Sequence, residues 1–502
     1  MSLSTIYSRA QCGMDSPQVS VEVHLSNGLP GLSIVGLPET AVKESKDRVR
    51  SAIINSGFTF PTKRITINLA PADLPKEGGR FDLPIALGIL TSSGQIQNLN
   101  LDKYEFAGEL ALSGKLRQIK GIIPFAMQCK KNNHDLIIPT ENALEASLVN
   151  ELTIYSTNNL KALVDHLNQK IEIKPFVPEH KVLDELISLD LSDVKGQFQA
   201  RRALEIAASG GHNMILVGPP GTGKTMLASR LNGILPKLTE LEALETATVA
   251  SIKGEYNIAQ NFFKRPFRSP HHTASGVALV GGSSNPKPGE VSLSHNGVLF
   301  LDEIPEFPRA VLEVLREPLE SGQITISRAG RSAQFPAKFQ LIAAMNPCPC
   351  GYLGSQVRKC KDNEAQVKRY QTKLSGPLLD RIDLHVEVPD LPKGVLSNQD
   401  IKPESSQEVR QRVIKARDKQ LQRQGKPNAL LHGKQLDKIC YLGKEESKLL
   451  ENALEKLKLS ARSYHRILKV TRTIADMDNS KLITPIHITE ALSYRKLDHY
   501  FS

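Results

Sequence analysis

The apolar and polar positions of this chain fall into three regimes. Residues 1–170 carry short β-branched runs, such as Val19 to His24, Leu32 to Val35 and Arg64 to Leu69. Between them lie stretches of helical spacing, Lys43 to Ser56 and Leu83 to Leu90. That mixture predicts an α/β domain. Residues 190–395 alternate wholly apolar runs, among them Met214 to Val217, Val298 to Leu301 and Leu341 to Met345, with helical stretches. Apolar strands of this kind are buried on both faces, as in a parallel sheet covered by helices. Residues 396–502 read as helical. A linker is expected at 171–189, where Pro175 and Pro178 discourage regular structure. A second is expected at 391–406, with the helical reading firm from 407 on. There is no solenoid-length repeat and no long low-complexity tract.

Length and composition narrow the class. At 502 residues the chain is too long for one core, so two or three domains are expected. Hydrophobic content of 40% and charged content of 23% are those of a soluble globular protein. No apolar run approaches a membrane span, so no membrane partner is expected. Met1 to Gly13 lacks the apolar core of a secretory leader. Six cysteines offer no disulfide framework, and a reducing cytoplasmic location is expected. The formal charge of +11 permits nucleic-acid binding without requiring it. With no tryptophan, stacking on bases falls to Tyr or Phe.

The chemistry concentrates in the middle regime. Gly218-Pro219-Pro220-Gly221-Thr222-Gly223-Lys224-Thr225 fits the full phosphate-loop pattern, between an apolar strand and a helical stretch. Its glycines let backbone N–H groups turn inward around phosphates. Lys224 reaches the β/γ oxygens, and the Thr225 hydroxyl holds Mg²⁺. The helix N-terminus adds a favourable dipole for the anion. The alternative is a plain glycine-rich turn. The strand Val298 to Leu301 ends in Asp302, a candidate Mg²⁺ ligand through water, and Glu303, a candidate for polarising the attacking water. Asn346, at the end of the next apolar strand, can orient that water. Arg381 is a candidate for reaching a neighbouring subunit's γ-phosphate, with an ordinary ion pair to Asp380 or Asp383 as the alternative. Arg462, on a helical stretch, is a candidate second arginine from the same subunit.

Four further strings stand in register with the phosphate loop: Pro266 to Thr273 (PFRSPHHT), Pro288 to Leu293 (PGEVSL), Asn346 to Gly351 (NPCPCG) and Gly376 to Asp383 (GPLLDRID). With them the chain resembles, over its whole length, the magnesium-chelatase-like AAA+ ATPases of the ComM/YifB group. The resemblance implies an AAA+ P-loop NTPase core with an N-terminal Lon protease-like α/β domain and a C-terminal helical lid. It implies a ring, as a homo-hexamer, with ATP and Mg²⁺ bound between subunits. Lys224, Thr225, Asp302, Glu303 and Asn346 then serve one subunit's site. Arg381 enters the neighbour's, Arg462 acts from the lid, and Val194-Lys195-Gly196-Gln197 lines the adenine pocket. It also implies an activity similar to that of MCM-type hexameric DNA helicases. Such a motor drives branch migration of single-stranded and branched DNA during natural transformation, together with recombination proteins. The first domain departs from the Lon pattern. Pro75 to Arg80 occupies the stretch that carries the nucleophilic serine, no serine lies between Thr66 and Thr91, and Ile123 falls at the position of the partner lysine. Without an activated nucleophile there is no acyl-enzyme route, so a structural or binding module is expected.

Weaker signals surround this core. Cys348, Cys350 and Cys360 are candidate zinc ligands, with Asp362 where related sequences offer a further cysteine; simple free thiols are the alternative. Ser321 to Ser332 reads as a β-hairpin, which in MCM-like rings points into the pore. Arg328 and Arg331 are its candidate DNA-phosphate contacts, against a solvated charged edge. The basic run Glu408 to Lys426 reads first as a solvated helix face and second as a DNA contact. His271 and His272 read as structural or as part of a ring-lining insert. Three functions compete: a DNA motor, a protein-remodelling ATPase of the magnesium-chelatase motor type, and a scaffold that binds nucleotide without turnover. The scaffold has no need of Glu303.

Overall fold

The computed structural model describes residues 3–97, 100–178, 189–282, 286–328, 331–392, 394, 403–457 and 460–495. Its strands are β1 (Leu3–Arg9), β2 (Gln18–Ser26), β3 (Gly31–Val35), β4 (Arg64–Ala70), β5 (Tyr104–Phe106), β6 (Glu109–Leu110), β7 (Leu116–Arg117), β8 (Asp135–Pro139) and β9 (Ile154–Thr157) in the first region. The second region holds β10 (Met214–Val217), β11 (Phe267–Arg268), β12 (Val298–Leu301), β13 (Gln323–Arg328), β14 (Arg331–Pro336), β15 (Gln340–Met345) and β16 (Leu384–Glu387).

The first region is a mixed seven-stranded sheet in the order β3-β4-β2-β1-β5-β8-β9. Alternation along β2 and β4 turns Val19, Val21, Val23, Ile65, Ile67 and Leu69 into one core, beneath the apolar helix Asp82–Ser92. The second region is a five-stranded parallel sheet in the order β11-β12-β15-β10-β16. Strands β10, β12 and β15 are buried at every position, as their unbroken apolar runs predict. Among the described residues 403–495, regular structure is helical throughout. Helices Ser406–Gln424 and Ala461–Met477 pack on helix Phe198–Gly210, which covers one face of the parallel sheet, through Val409, Val413, Ile467, Val470 and Ile474. A capping box at Ser405 and Glu408 starts the first of them.

The two sheets are joined by helix packing. Helix Ile122–Lys131 lies against helix Glu240–Lys253, and Ile122, Ile123, Phe125, Ala126 and Ala247 share one buried cluster. Gly121 N–H donates to the Ser251 carbonyl at 2.9 Å, and Ile123 N–H donates to the Ser251 hydroxyl at 3.3 Å. Of the expected linker, residues 171–178 carry no helix or strand, and 179–188 lie outside the described residues. The same holds for most of the second linker, 393 and 395–402. Among the described residues no helix is long and apolar enough to cross a membrane.

The basic run at 408–426 is neither a plain solvated face nor a free cationic strip. Arg412 pairs with Glu205 and Glu404, Arg417 donates to the carbonyls of Ala208 and Ser209, and Arg423 pairs with Asp476. Much of its charge therefore fastens the helical region to the parallel sheet's covering helix, Phe198–Gly210.

Candidate active site

The C-terminal ends of β10, β12 and β15 lie side by side, because these strands are hydrogen-bonded neighbours in parallel register. Each delivers one polar element to that edge: the phosphate loop after β10, Asp302-Glu303 after β12, and Asn346 after β15. This is where an open α/β sheet places ligands. Gly221 and Gly223 take φ of 81° and 89°, and a Cβ on either meets nothing within 4 Å. Gly223 is thus the left-handed cap from which helix Lys224–Ile234 springs.

Three contacts knit the edge together. Lys224 Nζ donates to the carbonyls of Gly218 and Pro219 at 2.7 and 2.8 Å and to Asn346 Oδ1 at 3.1 Å. Thr225 Oγ1 donates to Asp302 Oδ2 at 2.7 Å. Asp302 Oδ1 accepts the N–H of Glu303 at 3.0 Å. Burial pushes the Lys224 ammonium down to about 8, against the opposing pull of Asp302 and Glu303. Glu303 sits at φ 49°, a left-handed conformation that a side chain other than glycine adopts at a cost. Its carboxylate is half exposed and has His272 Nδ1 3.6 Å away. The His271 and His272 rings lie 4.1 Å apart. His272 is the neighbour that sequence reading did not bring to this site. The only signal for it was its place in the PFRSPHHT string.

The segment before the covering helix closes the site's other side. Val194 is buried, and Gly196 and Gln197 both have positive φ. Gln197 Nε2 donates to the Thr222 carbonyl at 3.3 Å and to the Pro389 carbonyl at 2.8 Å. This segment is therefore attached to the phosphate loop itself. Taken together, an amine, a hydroxyl, two carboxylates and a carboxamide around an open glycine turn suit a magnesium–triphosphate group.

The arginines lie in a different group. Arg381 is 5% exposed, and it pairs with Glu320 and donates to the Pro377 carbonyl at 2.5 Å. The sequence alternative of an ion pair to Asp380 or Asp383 is thus corrected. Asp383 is fully buried and serves Arg466 at 2.6 Å, His212 at 3.3 Å and the N–H of Asn213 at 3.1 Å. Burial, with Arg316, Arg462 and Arg466 close by, lowers the Arg381 pKa. Arg462 is exposed and stands in the electrostatic neighbourhood of Arg381.

Arg328 and Arg331 face each other as the last register pair of the β13–β14 hairpin. The tip between them, 329–330, and the side chains of both arginines lie outside the described residues. Cys348, Cys350, Cys360 and Asp362 do converge after β15.

The family model for magnesium chelatase, subunit ChlI, matches residues 190–396, that for subunit ChlI of Mg-chelatase matches 21–142, and that for its C-terminal part matches 403–495. The chain is 53% identical to competence protein ComM of Haemophilus influenzae, over 99% of this chain and 98% of that protein. It is 51% identical to YifB of Escherichia coli and 50% identical to YifB of Salmonella typhimurium, each over 99% of this chain and 98% of the relative.

Proposed function

The chain belongs to the magnesium-chelatase ChlI family, in the group of ComM and YifB, and from that premise we propose an ATP-driven ring motor that moves branched DNA. The family implies ATPase activity. The observation that carries the site assignment is the meeting of Lys224 with Asn346 and of Thr225 with Asp302 at one sheet edge. Lys224 and the loop amides hold the β- and γ-phosphates. Thr225 and Asp302 would hold Mg²⁺, which neutralises charge on those phosphates. Glu303 polarises the attacking water and Asn346 orients it. His272 positions the Glu303 carboxylate. Val194, Gly196 and Gln197 line the base pocket.

Arg381 lies apart from this group, and a ring supplies it to the next subunit's phosphates. Arg462 stands in the same electrostatic neighbourhood, so we infer that it goes to the same interface, as an alternative to serving its own subunit. The homo-hexamer is the closed arrangement that AAA+ rings favour, with the β13–β14 hairpin directed to the pore and Arg328 and Arg331 on DNA phosphates. The N-terminal region is a brace without peptidase chemistry. Ile123, packed in the core between the sheets, offers no basic group, and Lys76 is buried and donates to the Pro71 carbonyl. The name of the competence relative supports a role in integrating transforming DNA, with recombination proteins as partners in a cytoplasmic setting.

The test is ATP hydrolysis with and without single-stranded DNA and a forked duplex, beside displacement of a labelled branched substrate. DNA-stimulated turnover with ATP-dependent branch movement is expected. Turnover indifferent to DNA and no displacement would transfer the assignment to a protein-remodelling ATPase, the reading favoured by the chelatase family models.

A further inference from the structure

We propose that Cys348, Cys350, Cys360 and Asp362 bind one zinc ion, and that this ion fastens the Asn346 end of β15 to the phosphate loop. Three of the chain's six cysteines meet here. Their sulfurs are 3.5 Å (Cys348–Cys350), 3.6 Å (Cys348–Cys360) and 3.6 Å (Cys350–Cys360) apart, a nearly equilateral triangle. Asp362 Oδ2 caps it, 3.8 Å from the Cys360 sulfur. Ligands ~2.3 Å from a tetrahedral ion stand ~3.8 Å from one another, so the four atoms already occupy the corners that zinc needs. Oxidation cannot account for the triangle. A disulfide brings two sulfurs to about 2 Å and leaves the third without a partner.

The surrounding backbone is shaped for this. Gly351 N–H donates to the Cys348 carbonyl at 3.0 Å, and φ 86° at Gly351 folds the chain back. The N–H of Cys350 donates to Asp362 Oδ2 at 2.8 Å, which holds the carboxylate in the fourth place. Cys348 is buried and the other three are half-buried, so the ion would be shielded yet reachable. Three thiolates and one carboxylate select zinc over magnesium or calcium, which take oxygen ligands alone. The site also answers a structural question. Residues 346–363 contain no helix or strand, a length of irregular chain that compact domains rarely hold without an internal tie.

The tie reaches the nucleotide edge. Asn346, the acceptor for Lys224, lies two positions before Cys348. A Cβ on Gly351 would come within 2.9 Å of Pro220 Cδ, so the cysteine turn rests directly on the phosphate loop. The metal site stands on its own geometry. Only its effect on turnover rests on the proposed ATPase reading.

The experiment is metal analysis of the full chain purified from zinc-supplemented medium, for the natural sequence, Cys360→Ser and Asp362→Cys. About one zinc per chain is expected in the natural sequence and in Asp362→Cys, with tighter retention against a chelator in the latter. Cys360→Ser should lose at least tenfold in zinc affinity. Cobalt substituted into the natural sequence should give the intense absorption of tetrahedral thiolate coordination, a readout that needs neither a variant nor hydrolysis. Below about half a zinc per chain with no cobalt–thiolate band, or full zinc in Cys360→Ser, overturns the proposal. Chelation should lower turnover and zinc should restore it. Zinc bound with turnover unaffected by its removal keeps the site and overturns the fastening role.

Discussion

The Lys224 ammonium donates to the Asn346 carboxamide at 3.1 Å, joining the first residue of the phosphate-loop helix to the residue that follows β15. The two groups proposed to meet the γ-phosphate are in contact through adjacent parallel strands. Movement of one is therefore felt by the other.

Lys224→Ala removes the only ammonium in this group of contacts and should weaken ATP binding at least tenfold, about 1.4 kcal/mol, as read by fluorescent-nucleotide titration. Glu303→Gln keeps the shape and removes the base. It should bind ATP normally while kcat falls by roughly 10²–10⁴. Normal hydrolysis by Glu303→Gln would remove Glu303 from the water-polarising role.

Arg381→Ala should lower kcat by roughly 10³ or more. Arg381 is itself buried and also holds the Pro377 carbonyl, so a melting curve beside the assay separates lost turnover from lost stability. Mixing Arg381→Ala subunits with Lys224→Ala subunits should recover part of the turnover, since some interfaces then carry both intact groups. Arg462→Ala should complement in the same pattern. Recovery with neither arginine variant would place both in their own subunit's site.

Arg328→Ala with Arg331→Ala should abolish the DNA-stimulated increment in ATP hydrolysis and reduce the salt dependence of DNA binding by about one unit per lost phosphate contact. An unchanged increment and slope would take the hairpin out of the DNA path.

Glu145 supplies a pH dependence at the junction of the two sheets. Burial pushes its carboxyl up to about 7, and Ser251 across the junction pulls the other way. The folded-state value lies above the ordinary ~4.3 of an unfolded chain. Folding is therefore favoured most fully below about pH 4.3, and that advantage is lost as pH rises through 7. The melting temperature should fall by about 1–3 °C more between pH 6 and 8 in the natural sequence than in Glu145→Gln. Parallel curves for the two would dissociate Glu145 from the effect.

Much of this was legible in the chain. Unbroken apolar runs predict β10, β12 and β15, and β-branched runs predict β2 and β4, because strand burial leaves a local record in the chain. The phosphate loop, Asp302, Glu303 and Asn346 were visible because each sits immediately after such a run. The partner of Arg381 was not. Glu320 lies 61 positions away, beyond any local spacing rule. The basic run at 408–426 misled for the same reason, since its partners Glu205 and Asp476 sit on other helices.

By itself, then, the sequence determined the apolar strands of the parallel sheet and the place of the phosphate loop, Asp302 and Asn346 directly after them, because both are local in the chain. Only the tertiary structure decided that Arg381 is buried against Glu320, that His272 faces Glu303, that three thiols and a carboxylate close into a triangle and its cap, and that Ile123 became the seam between two sheets. These depend on which distant surfaces pack together. Packing is set by the summed burial of whole elements rather than by the spacing of any one segment.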